Sequence, residues 1–278
     1  MKYIKFEESR PEAVRAMLAE HPIAYVPMGA LEWHGEQNPL GLDGIKAYAL
    51  CEAAAARTGG VLFPPVYWGA PDTVPFPFTF KFKRSVFRNI VRGTLKNLQG
   101  MGFKMIIILT GHYPPSLINL LKKECRRFNK QGGSFAIGAP EQFFAIDIDY
   151  YGDHAGMWET SIMMAIRPDL VNLDLLPAGL STLERMKKLG VMGQDPKEKA
   201  GAEKGNKAIE RIVTGISELV EKVLKDQNDR AIEETYKKYA QALSIFSPNI
   251  KHVIREALDV HSLKELIQYG IWTLKNLL

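Results

Sequence analysis

Cysteine is scarce in this chain, which has two, Cys51 and Cys125, in a length of 278 residues. Two cysteines cannot form the disulfide framework of a secreted protein, so we expect free thiols and a cytoplasmic location. The opening residues MKYIKFEESR contain no apolar stretch of the kind that directs secretion. Apolar runs also stay well short of the ~20 residues that a membrane-spanning helix needs, so we expect no membrane partner.

A strong charge of either sign is missing as well. Lysine and arginine together number 36 and the acidic residues 31, which gives a net charge of +5. One basic cluster, over residues 122–130, fits the solvated face of a helix. Nucleic-acid binding would require a continuous basic surface with interleaved aromatic side chains, so we expect no nucleic-acid partner. The hydrophobic content of 46% is ordinary for a globular protein with a sizeable core.

Short apolar runs that alternate with longer helical patterns indicate the fold. The predicted strands are the runs Ile23–Gly29, Gly60–Trp68, Met105–Gly111 and Ser134–Pro140. The helical patterns between them cover residues 44–57, 85–102 and 116–133. Because strands alternate with helices, we predict an α/β fold with a mostly parallel central sheet flanked by helices.

The composition changes after about residue 185. Residues 186–207 are polar and contain several glycines, which indicates a loop or linker, and from Lys204 onward the patterns are only helical. We therefore predict an α/β domain over residues 1–185, and a linker with a helical C-terminal extension over residues 186–278. The extension is expected to pack on the α/β domain or on a neighbouring subunit.

Carboxylates and imidazoles collect where predicted strands end and a later helix begins. They are Glu32, His34 and Asp43 after the first strand, His112 after the third, and His154 and Glu159 at the helix start. In parallel α/β sheets, ligands bind beyond the carboxyl ends of the strands. Each residue alone could be an ordinary loop residue, but together they are the ligand types that suit zinc, manganese and iron. The pattern therefore predicts a metal site.

Three segments resemble the creatininase (creatinine amidohydrolase) family, in the family's order. EWHGEQNPLGLD, which spans Glu32 to Asp43, resembles the signature Glu-x-His-Gly-x-His-Leu-Pro-x-Gly-x-Asp without a gap. TGHYPPS and HAGMWETS, at residues 110–116 and 154–161, resemble two further segments of the family. The resemblance covers roughly residues 15 to 185. It implies an α/β fold with two divalent metal ions per chain, zinc and/or manganese with iron as a further candidate, and hydrolysis of a C–N bond.

The resemblance also implies roles for the individual ligands. Glu32 and His112 would bind one metal ion, His34 would bind the other, and Asp43 would bridge the two. The family's next ligand, a glutamate in Gly-His-Tyr-Glu-Asn, is Pro114 here, and proline cannot coordinate a metal ion. Glu159 is the predicted replacement.

The expected chemistry is metal-dependent amide hydrolysis. Two divalent ions lower the pKa of a bridging water and polarise the carbonyl that the resulting hydroxide attacks. His154 is the predicted general base, which later protonates the leaving nitrogen. Backbone N–H groups at the start of the helix after His154 are expected to assist an oxyanion or an anionic substrate. The predicted substrate is a cyclic amide or formamide-type small molecule other than creatinine.

Several aromatic residues are candidates for the substrate pocket. A loop that usually reads Phe-Pro-Gly-Thr in the family has Phe78 in place of the glycine. We expect Trp68, Asp72, Phe78 and Trp158, together with Phe76, to line a pocket for a flat aromatic or heterocyclic compound. The alternative, equally open at this stage, is that the aromatic residues are core or subunit contacts.

Two further expectations concern assembly. The resemblance implies a homo-oligomer, and a hexamer in particular. A non-catalytic reading is a metal-stabilised binding or assembly subunit of the same fold, whose helical extension would be the working surface. The full set of candidate ligands with an unassigned base argues for the enzyme, because loss of function would be expected to remove at least one of them.

Overall fold

The computed structural model describes residues 3–277, which fold around a five-stranded sheet. The strands are β1 (Tyr3–Lys5), β2 (Ile23–Met28), β3 (Gly60–Leu62), β4 (Met105–Thr110) and β5 (Phe135–Pro140). Their order across the sheet is β1-β3-β2-β4-β5, and every neighbouring pair is parallel. The predicted α/β class with a parallel central sheet flanked by helices is confirmed.

Two strands differ from the prediction. β3 ends at Leu62, although the apolar run continues to Trp68, because Pro64 and Pro65 have no N–H to donate to the ladder. β1 was not expected, since its three residues carry no alternating apolar pattern. It pairs with β3 at the edge of the sheet, where a short strand needs little apolar sequence.

Eleven α-helices are described in residues 3–277. They are α1 (Pro11–Glu20), α2 (Leu42–Thr58), α3 (Arg84–Met101), α4 (Pro115–Asn129), α5 (Met157–Ile166), α6 (Thr182–Glu184), α7 (Pro196–Lys199), α8 (Ala202–Asp226), α9 (Arg230–Ala242), α10 (Ile250–Leu258) and α11 (Leu263–Leu277). None of the helices in the described part of the chain is long and apolar enough to cross a membrane.

The two faces of the sheet carry separate cores. In β4, Ile107 and Leu109 face a core formed with α2, α5, α8 and α9, whereas Ile106 and Ile108 face one formed with α1, α3 and α4. This division follows from the alternation of side chains along a strand. All six residues of β4 are buried because helices cover both faces.

The segment after residue 185 contributes to the same core. Ala208, Ile212 and Ile216 of α8 are buried with the residues of α2 and α5. Further along, Val260 and Tyr269 pack with Val74 in a third apolar cluster above the loops that follow the strands. The division into domains at residue 185 stays a prediction, but α8 is an integral part of the core that covers one face of the sheet.

Candidate metal centre

The predicted ligands converge at the carboxyl ends of β2 and β4. Glu32 and His34 lie in the loop after β2, Asp43 in the first turn of α2, His112 just after β4, and Glu159 in the first turn of α5. Each of these five side chains is at most 5% exposed. His154, directly before α5, is half-buried beside them. The topology therefore brings together all six predicted metal-binding and catalytic residues.

Glycines at two strand ends allow Asp43 to reach this position. A Cβ atom on Gly29, after β2, would lie 2.3 Å from the backbone nitrogen of Gly44, and one on Gly111, after β4, would lie 2.2 Å from the backbone oxygen of Asp43. Only glycine permits so close an approach of two backbones. Asp43 Oδ2 in turn accepts a hydrogen bond from the N–H of Ala30 at 3.1 Å. The first turn of α2 is thus packed directly against both strand ends.

Each histidine of the cluster has one ring nitrogen beside a backbone carbonyl oxygen. These pairs are His34 Nδ1 with Glu32 O at 3.0 Å, His112 Nε2 with Pro71 O at 2.9 Å, and His154 Nε2 with Trp33 O at 2.8 Å. A carbonyl oxygen only accepts, so the ring nitrogen beside it carries the hydrogen. In the neutral ring, the other nitrogen then has a lone pair available for a metal ion, the arrangement typical of metal-binding histidines.

The two deeply buried histidines turn their remaining nitrogen toward carboxylates. His112 Nδ1 lies 2.8 Å from Glu32 Oε2 and 3.5 Å from Asp43 Oδ2. His34 Nε2 lies 3.1 Å from Asp43 Oδ1 and 3.8 Å from Glu159 Oε2. Asp43 therefore faces a different imidazole with each of its oxygens, as a bridging carboxylate does.

Three of these buried atoms have no hydrogen-bond partner among the described residues. They are Glu32 Oε2, His34 Nε2 and Asp43 Oδ1. A buried polar atom without a partner is unfavourable, and a carboxylate oxygen facing a nitrogen lone pair is repelled unless a cation lies between them. Two groups with ligand atoms within 4.8 Å of one another, Glu32–Asp43–His112 and His34–Asp43–Glu159, can each hold a metal ion, and Glu32–His34–His154 is a third. The donor set fits zinc or manganese.

Protons are held by the same cluster when metal is absent. Burial lowers the pKa of His34, but the carboxylates of Asp43 and Glu159 outweigh it and raise the pKa to about 9. His112 behaves in the same way toward Glu32 and Asp43, which raise its pKa well above the usual value despite burial. The pKa of His154 is instead lowered, by burial and by the His34 ring 4.4 Å away. His154 is thus the neutral imidazole of the three.

Two residues at this site were not predicted from the sequence. Lys46 is fully buried, and its Nζ lies 2.7 Å from Glu159 Oε1 and 2.5 Å from Glu141 Oε1. The Tyr113 hydroxyl donates to the same Glu159 oxygen at 2.7 Å. The available signal was the spacing of Lys46, three residues after Asp43 on one helix face in an otherwise apolar stretch.

The two carboxylate oxygens of Glu159 contact different groups. Its Oε1 accepts from Lys46 and Tyr113, while its Oε2 accepts from the N–H of Ala155 at 2.7 Å and faces His34. One oxygen of Glu159 therefore faces the candidate metal position. Such an orientation is required if Glu159 replaces the family's glutamate, which is Pro114 in this chain. Its service as a ligand stays a prediction.

The expected use of backbone N–H groups at the start of α5 is wrong. Asp153 accepts from the N–H of Trp158 at 2.7 Å and from that of Glu159 at 3.3 Å. The N–H of Met157 donates to Gln194 O at 3.0 Å, and Glu159 takes that of Ala155. Asp153 caps the helix from within the chain, and burial together with the Glu159 carboxylate raises its pKa to about 8.

The four predicted substrate-binding residues lie in different surroundings. Asp72 lines the cavity of the cluster, which has a volume of about 270 Å³, and accepts from Arg84 Nε at 2.8 Å. Trp158 is buried in the core, where it stacks on Tyr150 with ring centroids 5.2 Å apart, so the core alternative holds for it. Trp68 and Phe78 are 58% and 72% exposed and are not among the described residues that line the cavity. Their role in substrate binding stays a prediction.

A parallel α/β sheet with a buried carboxylate–imidazole cluster at the carboxyl ends of its strands defines the class of protein. The creatininase family, described as creatinine amidohydrolase, matches residues 7–220, and the chain belongs to this family. The match extends beyond the segment 15–185 expected from the motifs, because α8 completes the core. The predicted family is confirmed, and the chain is a creatininase-family hydrolase.

Two curated relatives are similar to parts of the chain. A creatinine amidohydrolase of Pseudomonas putida is 27% identical over 178 residues, which cover 55% of this chain and 67% of the relative. A 3-dehydro-scyllo-inosose hydrolase of Thermotoga maritima is 24% identical over 111 residues, or 39% of this chain and 36% of that protein.

Solved creatininase structures share the fold. A tryptophan-to-alanine mutant of creatininase is 23% identical, with a TM-score of 0.66 over 80% of this chain and 98% of that one. A manganese form and a Zn–Zn form of creatininase, at 22% and 23% identity, each have a TM-score of 0.63 over the same shares. At this level of identity, the likeness establishes the architecture.

Proposed function

We propose that this chain is a metal-dependent amidohydrolase that hydrolyses the C–N bond of a cyclic amide or formamide-type small molecule. The observation that carries the proposal is the set of three buried, unpartnered ligand atoms on Glu32, His34 and Asp43. They lie where Asp43 contacts two imidazoles, each oriented by a backbone carbonyl. Without metal, protonated His34 and His112 can pair with these carboxylates, and with the neutral rings a pair of divalent cations would satisfy all three atoms.

The residues divide into two overlapping triads. Glu32, Asp43 and His112 would hold one cation, and His34, Asp43 and Glu159 the other. When bound, two divalent cations, zinc, manganese or iron, supply the Lewis acidity that activates a water nucleophile and polarises the scissile carbonyl.

His154 moves the proton in this proposal. Its Nε2–H is held by the carbonyl oxygen of Trp33, which leaves Nδ1 free to accept a proton from the nucleophile. The lowered pKa keeps the ring neutral near pH 7, and the protonated ring can then donate to the leaving nitrogen. Lys46 has a positioning role, since it fixes Glu159 by contact with Oε1 and leaves Oε2 facing the cluster.

The cavity favours a small acyl group other than that of creatinine. Its volume of about 270 Å³ suits a small molecule, and Pro114 lines it at the position of the family's glutamate. The Pro114 side chain offers the substrate neither charge nor hydrogen bond. The family resemblance implies a metal-binding glutamate at this position, so its absence argues against creatinine itself as the substrate.

Metal content and turnover test the proposal together. Elemental analysis of protein purified without a histidine tag or chelator is expected to find two equivalents of zinc, manganese or iron. Asp43→Asn is expected to lose both metal and turnover, whereas His154→Ala keeps the metal and loses turnover of a lactam and formamide panel, followed as amine or formate release. One equivalent would mean that Glu159 does not replace the ligand missing at Pro114. Two equivalents without any hydrolysis would support the non-catalytic subunit instead.

We further propose that the chain works in the cytoplasm as a homo-oligomer, and as a hexamer by family resemblance. Large apolar side chains at the surface support association, among them Trp68 and Phe78 and, at one-turn spacing on α11, Leu263, Ile267 and Ile271. Such side chains are typical of subunit contacts. Light scattering that finds a monomer at micromolar concentration would contradict this proposal.

A further inference from the structure

A second cavity, with a volume of about 450 Å³, lies next to the cavity of the metal cluster. The two cavities share the wall residues Tyr113, Pro115, His154 and Met192. The two cavities therefore adjoin at these four residues. We name this space the aromatic chamber, after its ring residues Phe143, Tyr151, Tyr236, Tyr239 and Tyr269.

The rings of the aromatic chamber are fixed before any ligand arrives. Tyr239 donates its hydroxyl hydrogen to the carbonyl oxygen of Tyr151 at 3.0 Å, and its ring stacks on Phe143 at 3.9 Å between centroids. The Tyr236 hydroxyl donates to Gly138 O at 3.3 Å and accepts from Gly138 N at 3.1 Å. Because the backbone binds these hydroxyls, the rings can offer apolar faces to a ligand and lose little freedom when it binds.

Gln142 contributes a buried polar side chain to the wall of the aromatic chamber. Its side chain is 1% exposed and forms part of the chamber wall. The Oε1 atom has no hydrogen-bond partner among the described residues.

The C-terminal helices form one side of the chamber. The wall includes Tyr236 and Tyr239 of α9, Ala257 and Leu258 of α10, and Tyr269 of α11, while Thr273 of α11 reaches the cavity of the cluster. All of these residues lie beyond residue 220, where the family match ends. The part of this chain that the family match does not cover therefore contributes one side of the chamber wall, and residues within the match form the rest.

We propose, as a refinement that rests on the amidohydrolase function above, that the substrate is an N-substituted amide whose nitrogen carries an aromatic group bound in the aromatic chamber. The orientation of the substrate follows from His154, because this residue lines both cavities and is the proposed proton donor to the leaving nitrogen. The nitrogen substituent thus occupies the chamber, and a small acyl group occupies the cavity of the cluster. A space of about 450 Å³ lies within the usual range for small-molecule sites.

The reaction balances as a simple hydrolysis. One water molecule is consumed, its oxygen forms a bond to the acyl carbon, and the C–N bond breaks. The aromatic amine leaves with the proton that His154 delivers, and the acyl fragment leaves as a carboxylic acid. No oxidant or reductant is required.

A set of three amides tests where the ring binds. N-Benzylformamide and N-methylformamide share the acyl group and differ in the nitrogen substituent, whereas N-methylphenylacetamide places the ring on the acyl side. The metal-loaded protein is expected to hydrolyse N-benzylformamide with a kcat/KM roughly ten- to a hundredfold above that of the other two, as differences in apolar contact produce. Chromatography of the released amine and acid gives the rates.

A tryptophan in the chamber wall supplies the matched variant. Ala240 of α9 is exposed and lines the chamber, so Ala240→Trp fills part of the space without burying a polar group. We expect it to lower the benzyl-to-methyl ratio of kcat/KM by roughly tenfold or more. Ala16→Trp, at an equally exposed position of α1, is the control and is expected to keep the wild-type ratio.

The outcomes separate this inference from the proposed function. Equal kcat/KM values for the two formamides would overturn the chamber assignment and leave the amidohydrolase function standing. If no amide is hydrolysed, calorimetry with N-benzylformamide decides. Binding by the wild type and Ala16→Trp but not by Ala240→Trp would support the chamber and contradict the proposed function. An absence of binding by the wild type would overturn the chamber.

Discussion

Replacement of Gly111 by alanine should displace Asp43 from the candidate metal centre. The new Cβ would lie 2.2 Å from the backbone oxygen of Asp43, 2.7 Å from its carbonyl carbon and 2.8 Å from its Cα. All three neighbours are backbone atoms, so rotation of a side chain cannot relieve the contact. Restoring ordinary van der Waals separation requires the first turn of α2 to move away from β4 by roughly 1 Å.

The size of the effect follows from this displacement. Overpacking of this kind costs about 1–3 kcal/mol in free energy of unfolding. A functional site tolerates shifts of only ~0.5 Å, so we expect the affinity for zinc or manganese to fall by roughly ten- to a hundredfold. Urea unfolding of metal-free protein measures the free energy of unfolding, and titration against a competing chelator measures the metal affinity.

Gly93→Ala is the matched control. Gly93 lies in the exposed face of α3, and a methyl group added there would have none of the described atoms within 4 Å beyond its own helix and neighbours. Alanine is favoured over glycine in a helix by about 0.5–1 kcal/mol, so this variant should be more stable and should bind metal normally. If Gly111→Ala unfolds at the same urea concentration as the wild type and binds metal equally well, the packing of α2 does not position Asp43.

The remaining predictions concern charge. Lys46→Met should destabilise the protein by about 3–5 kcal/mol at pH 8, because Glu141 and Glu159 lose their buried cation. Burial already raises the pKa of Glu141, so folding of the variant should take up a proton. The variant's loss of unfolding free energy relative to the wild type should therefore shrink as the pH falls from 8 to 5. A loss that does not depend on pH would contradict this. Metal uptake should release protons at pH 7, because the pKa of His34 is about 9 in metal-free protein, and metal affinity should weaken as the pH falls. Calorimetry in buffers of different ionisation enthalpy counts those protons, and uptake without release would show that the cluster is unprotonated.

The sequence indicated the central strands β2, β4 and β5, the type of fold and, together with the family resemblance, the six cluster residues. Residues 23–28 and 105–109 are continuously apolar because helices cover both faces of β2 and β4, and such continuity is visible without a structure. Glu32, His34 and Asp43 are close together in the sequence, and the family resemblance supplied the distant residues His112 and Glu159. The order of strands then makes their convergence a necessary result.

Tertiary structure decided how these residues are used. Lys46 and Glu159 are 113 residues apart, and only the packing of α2 against α5 shows that a buried lysine takes one oxygen of the predicted ligand. The N–H groups at the start of α5 looked available from the sequence, but Asp153 accepts two of them within the fold. Likewise, the helical pattern after residue 204 predicted α8–α11 without their position, because an amphipathic pattern specifies that a face is buried and not what covers it. The structure places α11 at the cavity of the metal cluster and α9 and α10 at the neighbouring cavity.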